Sequence, residues 1–243
     1  MVFNSYSFLL FFPIVLVLTQ LAPAKWRNGL LLVASYVFYA SWGKRFCVLL
    51  LGLTVLVYAA GLLLGQKKRR WLFWLGLGGT LGALLVYKYL DFGLYSINAL
   101  TRALGLGEPM PRVSLLQPAG ISFFTFQAAG YLIDVYEGKY GPEKSFLRFA
   151  LFVSFFPQLL SGPIGRGDQL LPQYERPKKA DFDALRRGFL TMTWGFFLKL
   201  CIADRAAVLV KLLEQLKDAE GTGTAAFLEA LDRGGEKGGG TPA

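Results

Sequence analysis

Long apolar stretches alternate along this chain with short breaks that are basic or carry proline and glycine. The stretches cover residues 6–21, 29–42, 46–64, 71–90, 119–136, 146–163 and 188–213, with a weaker one at 92–106. An α-helix rises about 1.5 Å per residue and bilayer hydrocarbon is about 30 Å thick, so about 20 apolar residues make one crossing. The pattern predicts an all-α, polytopic transmembrane protein. The first stretch has no basic residue before it, and "TQLAPAKWRN" behind it is a poor cleavage site, so a retained helix is expected there and not a signal peptide. The second stretch reaches only about 21 Å and spans if Trp26 and Trp42 stand at the two interfaces.

Charge gives these helices a direction. If the second stretch spans, Lys25, Arg27, Lys67, Lys68, Arg69 and Arg70 share one side, against Lys44 and Arg45 on the other. The excess of basic loop residues belongs in the cytoplasm, which puts the N-terminus outside. The weak stretch at 92–106 is then left on the outer face. The later run "RGDQLLPQYERPKKADFDALRR" is also basic, so both ends of the stretch 146–163 are expected on the cytoplasmic side. A re-entrant segment results, with "FPQLLSGP" as its turn; an ordinary span with a proline kink is the alternative. Pro157 removes a backbone donor and clashes with the preceding turn, Gly162 loosens the backbone, and Pro163 repeats the break. Irregular backbone at membrane depth persists only where protein or a water-filled cavity surrounds it.

Composition strengthens this picture and narrows the chemistry. Of 243 residues, 54% are hydrophobic, 15% aromatic and only 17% charged, and the net charge is +10. Mean hydropathy is +0.43. The basic excess is read as orientation and contact with anionic membrane lipid, because no aromatic-basic module for nucleic acid is present. Cys47 and Cys201 lie inside apolar stretches, so no disulfide and no metal site is expected from them. The chain has no histidine, which removes Ser-His-Asp and Cys-His catalysis and histidine-held metal. No HExxH, Walker loop or dinucleotide signature occurs, and no bound cofactor is expected.

What remains are polar side chains in oily segments, which are costly and therefore candidates for function. In "GISFFTFQAAGYLIDVYEG", Gln127, Tyr131 and Asp134 fall at i, i+4 and i+7, on one stripe within roughly 60° of arc. The stripe lines a passage, or it forms a hydrogen-bonded seam between helices. Gln158, Ser161 and Arg166 belong to the broken segment, where Arg166 either meets a phosphate-bearing ligand or anchors at the interface. Lys199 and Asp204 are five apart, about 140° around a regular helix, and are expected to be poor partners for each other. Lys88 and Asp91 close the fourth stretch and are expected to snorkel.

Five blocks, "MVFNSYSFLLFFPIVL", "RNGLLLVASYVFYASW", "PAGISFFTFQAAGYLIDVYEGKY", "FFPQLLSGPIGR" and "RGFLTMTWGFFLKLCIADR", resemble in order and spacing the N-terminal part of the membrane-bound O-acyltransferase (MBOAT) family. The branch they most resemble is that of alginate O-acetyltransferase membrane subunits, with D-alanyl transfer proteins more distant. The resemblance covers residues 1–213. It implies a ring of membrane helices around a thin centre, in the bacterial inner membrane, with a tunnel from the cytoplasm. It implies an acyl donor, acetyl-CoA or an acyl carrier thioester, and passage of the acyl group to a hydroxyl, with a periplasmic polysaccharide-modifying partner. Gln127, Tyr131, Asp134, Gln158, Ser161, Arg166 and Lys199 would line or support the tunnel, and Pro157, Gly162 and Pro163 would shape the re-entrant mouth.

The family places the histidine that acts as general base in a later membrane helix, past Ala243, so no catalytic residue is assigned in this chain. The sequence from 214 to 243 matches nothing in the family pattern and reads as a short helix, Ala225–Leu231, followed by a disordered end. A truncated product, a frameshift near residue 217 and a natural half-length protein are the three readings of this departure, with truncation or frameshift favoured and the chain expected to be inactive alone. A transporter or flippase for an envelope intermediate suits broken helices and midplane polar groups as well. A scaffold subunit suits a chain without a visible base.

Overall fold

The computed structural model describes residues 3, 5–66, 68–105, 116–160, 162–176 and 181–214. Ser161 and the expected helix Ala225–Leu231 lie outside the described residues. Among the described residues the regular structure is helical: α1 (Tyr6–Leu21), α2 (Ala24–Ala40), α3 (Lys44–Gln66), α4 (Arg70–Ala103), α5 (Ile121–Glu137), α6 (Phe146–Ser154), α7 (Phe156–Leu159), α8 (Gly167–Glu175) and α9 (Phe182–Phe197). A π-helical segment, Leu198–Ala203, follows α9, and helix continues to residue 214. The chain forms two compact units, Met1–Lys179 and Ala180–Ala243.

Local signals start several of these helices. The Ser5 hydroxyl accepts from the Phe8 amide at 3.2 Å to cap α1, Ser145 caps α6, and the Asp181 carboxylate accepts from the Ala184 amide at 2.6 Å to cap α9. Between Ser41 and Lys44 the chain reverses through Gly43, and α2 and α3 are neighbours. By length and composition α3 and α4 are apolar enough to cross a membrane, whereas α1 is a shorter apolar helix of 16 residues. Leu10, Ile14, Val48, Trp74 and Leu85 are exposed on these helices, the residue type that lipid contact calls for.

One expectation about the elements is corrected. The weak stretch at 92–106 is not an element of its own: as far as Ala103 it continues α4, which runs unbroken for 34 residues. Neither Asp91 nor Gly93 stops it: no proline lies between Asp91 and Ala103, and an isolated glycine costs a helix only about 1 kcal/mol. At 1.5 Å per residue α4 is about 51 Å long, well beyond the thickness of hydrocarbon.

In the first unit α3 packs against both α4 and α5, and α2 packs against α6. Tyr39, Leu50, Val57, Phe124, Leu132, Phe149 and Phe152 form the fully buried centre. Small residues set the closest approaches: a side chain at Gly76 would meet Leu132 at 2.8 Å and Ala60 at 2.9 Å, and one at Gly61 would meet the Tyr131 ring at 3.0 Å. Close backbone contact of this kind is how helices associate when lipid offers no hydrophobic advantage. A second cluster joins Phe8, Phe38 and Phe156.

Candidate functional site

The broken segment builds the most irregular part of the first unit. α6 is nine residues long, about 14 Å, and stops at Phe155, whose φ of −56° and ψ of 111° are not helical. The stop lies two residues before Pro157, which sits in the first turn of α7. There the missing proline donor costs nothing, so Pro157 opens a new short helix after the break at Phe155 and does not kink a continuing one, as the alternative reading would have had it. After Leu160 the backbone tightens around Gly162: its amide donates to the Gln158 carbonyl at 3.0 Å, and a Cβ there would lie 2.5 Å from Gln158 Cα. Pro163 begins the non-helical return, residues 163–166, which leads into α8.

The two arms form a hairpin whose ends lie together. Its far end reaches Gly120 at the start of α5, where a Cβ would collide with the Leu159 carbonyl oxygen. Gly120 also has φ 74°, so both backbone and space call for glycine. On the return, Gly165 passes Gln127, and Gly167 meets the Tyr140 ring just beyond the other end of α5. α8 packs back against α6.

A buried helix break strands backbone groups that lipid cannot satisfy. Two side chains take up the stranded groups here. The Gln127 amide nitrogen donates to the Phe152 carbonyl near the end of α6, and the Ser35 hydroxyl accepts from the Phe156 amide at 3.2 Å. Gln127 also accepts from the Gly165 amide through Oε1 at 3.3 Å, so one amide holds both arms. Asn28 Nδ2 donates to the Tyr174 carbonyl at 2.6 Å and ties α2 to α8.

At the open end of the hairpin lies a cleft of about 350 Å³ whose lining includes Tyr140, Glu143, Lys144, Arg148, Asp168 and Glu175. Arg148 donates to the Glu143 carboxylate through Nε at 3.1 Å and a second guanidinium nitrogen at 2.7 Å. The Tyr140 hydroxyl is buried with no hydrogen-bond partner among the described residues. Burial, and then the negative charge of Asp134 nearby, push its phenol well above the usual tyrosine value. Lys68, on the turn from α3 to α4, comes to the same end: its ammonium stands where a side chain on Gly138 would be, at 2.8 Å.

The residues singled out from sequence are distributed as follows. Gln127 and Tyr131 are buried; the Tyr131 hydroxyl accepts from the Glu143 amide at 2.9 Å. Asp134 pairs with Lys139 at 2.7 Å, and Lys139 also reaches Glu137 at 2.8 Å, which raises the Lys139 value. Gln158 Oε1 is buried beside Gly165 without a partner among the described residues. Arg166 precedes α8, with Nε 3.5 Å from Asp168 Oδ1. Gln127 and Gln158 thus meet at Gly165 on the return arm, Arg166 is the next residue along it with its side chain toward Asp168, and Tyr131 and Asp134 lie toward the mouth.

Lys199 belongs to the second unit, and there a sequence expectation fails: Lys199 and Asp204 are paired at 2.7 Å. The regular-helix spacing of 100° per residue does not hold across Leu198–Ala203, because a π-helix closes hydrogen bonds from i to i+5 and brings residues five apart into line. Sequence reasoning also missed Ser35, Asn28 and the Glu143–Arg148 pair. Ser35 and Asn28 carried a signal as polar residues in or beside an apolar run, but their partners are 121 and 146 residues away.

Comparison with known proteins gives these features a context. The chain is 41% identical over 215 residues to the probable alginate O-acetylase AlgI of Pseudomonas putida, a match covering 86% of this chain and 44% of that protein. It is 41% identical over 214 residues to the protein of the same name from Azotobacter vinelandii, covering 85% and 42%. A peptidoglycan O-acetyltransferase of Helicobacter pylori is 32% identical over 218 residues, covering 77% and 40%. The chain therefore spans less than half the length of the curated relatives it matches. No family model matches the sequence, and no solved structure does. At this identity over most of its residues, the chain is a homologue of the O-acetylases of the membrane-bound O-acyltransferase family, as its five sequence blocks indicate.

Proposed function

We propose that this chain forms the N-terminal part of a polytopic inner-membrane O-acyltransferase that acetylates a cell-envelope polysaccharide. The carrying observation is the homology to alginate O-acetylases at about 40% identity, combined with a helix-break hairpin held inside the protein by Gln127 and Ser35. On this reading the hairpin is re-entrant and opens to the cytoplasm, beside Lys68 and the Tyr140–Glu175 cleft, with the N-terminus outside. Acetyl-CoA or an acyl carrier thioester approaches that mouth. Gln127 holds the arms that border the passage, Gln158 lies along it, and Tyr131, Asp134 and Arg166 frame its opening. A periplasmic partner receives the acetyl group for the polymer.

General-base activation of the acceptor hydroxyl needs a group with a suitable pKa, and the chain has no histidine to supply one. Transfer from radiolabelled acetyl-CoA to polymer is therefore expected only when this chain is combined with a segment that carries the base. Activity of the 243-residue chain alone would overturn the assignment of the base. A completed protein that still transfers nothing, yet moves an envelope intermediate across vesicles, would favour a transporter.

A further inference from the structure

The turn from α3 to α4 concentrates positive charge at one end of two helices apolar enough to cross a membrane. No Asp or Glu occurs in the first 90 residues, whereas "QKKRR" sets four cations in a row across this turn. Asp134 and Glu137, near the end of α5, are engaged by Lys139, and the Lys68 ammonium stands at Gly138. Arg69 and Arg70 are exposed and form no ion pair among the described residues.

An apolar path starts beside them. A cleft of about 220 Å³ between α3 and α4 is lined by Leu63, Gln66, Arg69, Trp71 and Leu72. From Trp71 one face of α4 continues through Leu75, Gly78 and Gly82, at i+4, i+7 and i+11, for about 16 Å. Trp71 and Leu75 are exposed, and a side chain added at Gly78 or Gly82 would meet nothing within 4 Å. The neighbouring Gly79 packs against Leu56 of α3, so this open face flanks the seam between the two helices. From the turn inward the surface is cationic, then aromatic, then apolar. A phospholipid presents phosphate, ester and acyl chain in the same order. Arginine suits phosphate, an indole suits the boundary between headgroup and hydrocarbon, and the furrow left by two glycines suits an acyl chain. Charge alone would accept any phosphate; the apolar face selects a lipid.

We propose that this surface binds one anionic phospholipid, with its phosphate at Arg69 and Arg70 and an acyl chain along Trp71, Leu75, Gly78 and Gly82. The lipid holds the turn whose Lys68 reaches the mouth of the hairpin, and its binding is independent of the acetyltransferase reading. The test uses the full chain, stripped of lipid in neutral detergent micelles. Bound lipid is counted directly by mass as phosphatidylglycerol, or phosphatidylcholine of the same chains, is added. Phosphatidylglycerol is expected to bind at least about tenfold more tightly, with the difference shrinking as salt rises. The double variant Arg69→Gln, Arg70→Gln lowers its affinity by about tenfold or more. Gly78→Leu fills the furrow and lowers it by about threefold or more, while the lipid-free unfolding temperature of each variant matches the parent. Equal affinity for the two lipids, or unchanged affinity in both variants, would overturn the proposal. So would full displacement of phosphatidylglycerol by an equal concentration of glycerol phosphate, which would assign the arginines to soluble phosphates.

Discussion

Gln127 shows how one side chain can permit a fold. A glutamine in an apolar stretch reads from sequence as a tunnel-lining group or a seam between helices, and both uses predict the same stripe. Its contacts are with backbone: the carbonyl of Phe152 on one arm and the amide of Gly165 on the other. Side-chain bonds between membrane helices average about 0.6 kcal/mol, but a buried polar group left unpaired costs about 1–3 kcal/mol. Because Gln127→Leu strands two such groups, a loss of about 2 kcal/mol or more is expected, read as lower thermal stability in detergent. Amide hydrogen exchange at residues 162–166 should quicken. Gln127→Glu keeps an acceptor for Gly165 but cannot donate to Phe152, so it should weaken the α6 arm and leave the return arm protected.

Tyr140 gives a pH-dependent readout at the same scale. Its phenol is buried near Asp134 and is held neutral, above its ordinary value of about 10. In the folded state the proton is kept, and in the unfolded state it leaves near pH 10. The folded form therefore binds more protons in alkali, and stability falls as pH rises through about 10. Tyr140→Phe removes this contribution. Its unfolding temperature should decline less than that of the parent between about pH 9 and 11, whereas equal declines would show that Tyr140 is not the group responsible.

At the scale of elements, the apolar windows located nearly every helix because length and hydropathy are local properties. Boundaries that depend on packing were hidden. The fusion of residues 71–90 with 92–103 needed only the absence of a strong breaker, and the stop at Phe155 came two residues before the proline to which the sequence reading tied it. Nor does anything in "FFLKLCIADR" signal a π-turn, so period arithmetic separated Lys199 from Asp204 although they pair at 2.7 Å. A lone charge at the centre of a membrane helix costs about 2.5–3.5 kcal/mol on insertion scales, and pairing reduces that cost. Asp204→Asn alone should therefore lower membrane insertion, measured as the glycosylated fraction of a translocation reporter. Adding Lys199→Met should restore it, and a double variant no better than the single would show that the pair is not what keeps Lys199 there.

Across the first unit, the mouth of the hairpin, the turn from α3 to α4 and the end of α5 converge, an arrangement compatible with the expectation from charge. Positive loops belong in the cytoplasm, so "QKKRR" and the run after Pro163 had to share a side. Lys68 stands at Gly138, and Gly167, at the start of the later run, meets Tyr140, so these two points lie at the α5 C-terminus. The return arm beside Gln127 leads from Pro163 to Gly167, which meets Tyr140 near the start of the outgoing arm, as a re-entrant segment would require. A topological prediction follows. With Cys47 and Cys201 replaced by alanine, single cysteines at Lys68 and Asp168 should react with a membrane-impermeant maleimide only in inside-out vesicles. A cysteine at Gln117, at the other end of α5, should react only in right-side-out vesicles. Labelling at Asp168 from the same side as Gln117 would mean that the hairpin runs through the bilayer, and the re-entrant mouth, with the donor route assigned to it, would have to be given up.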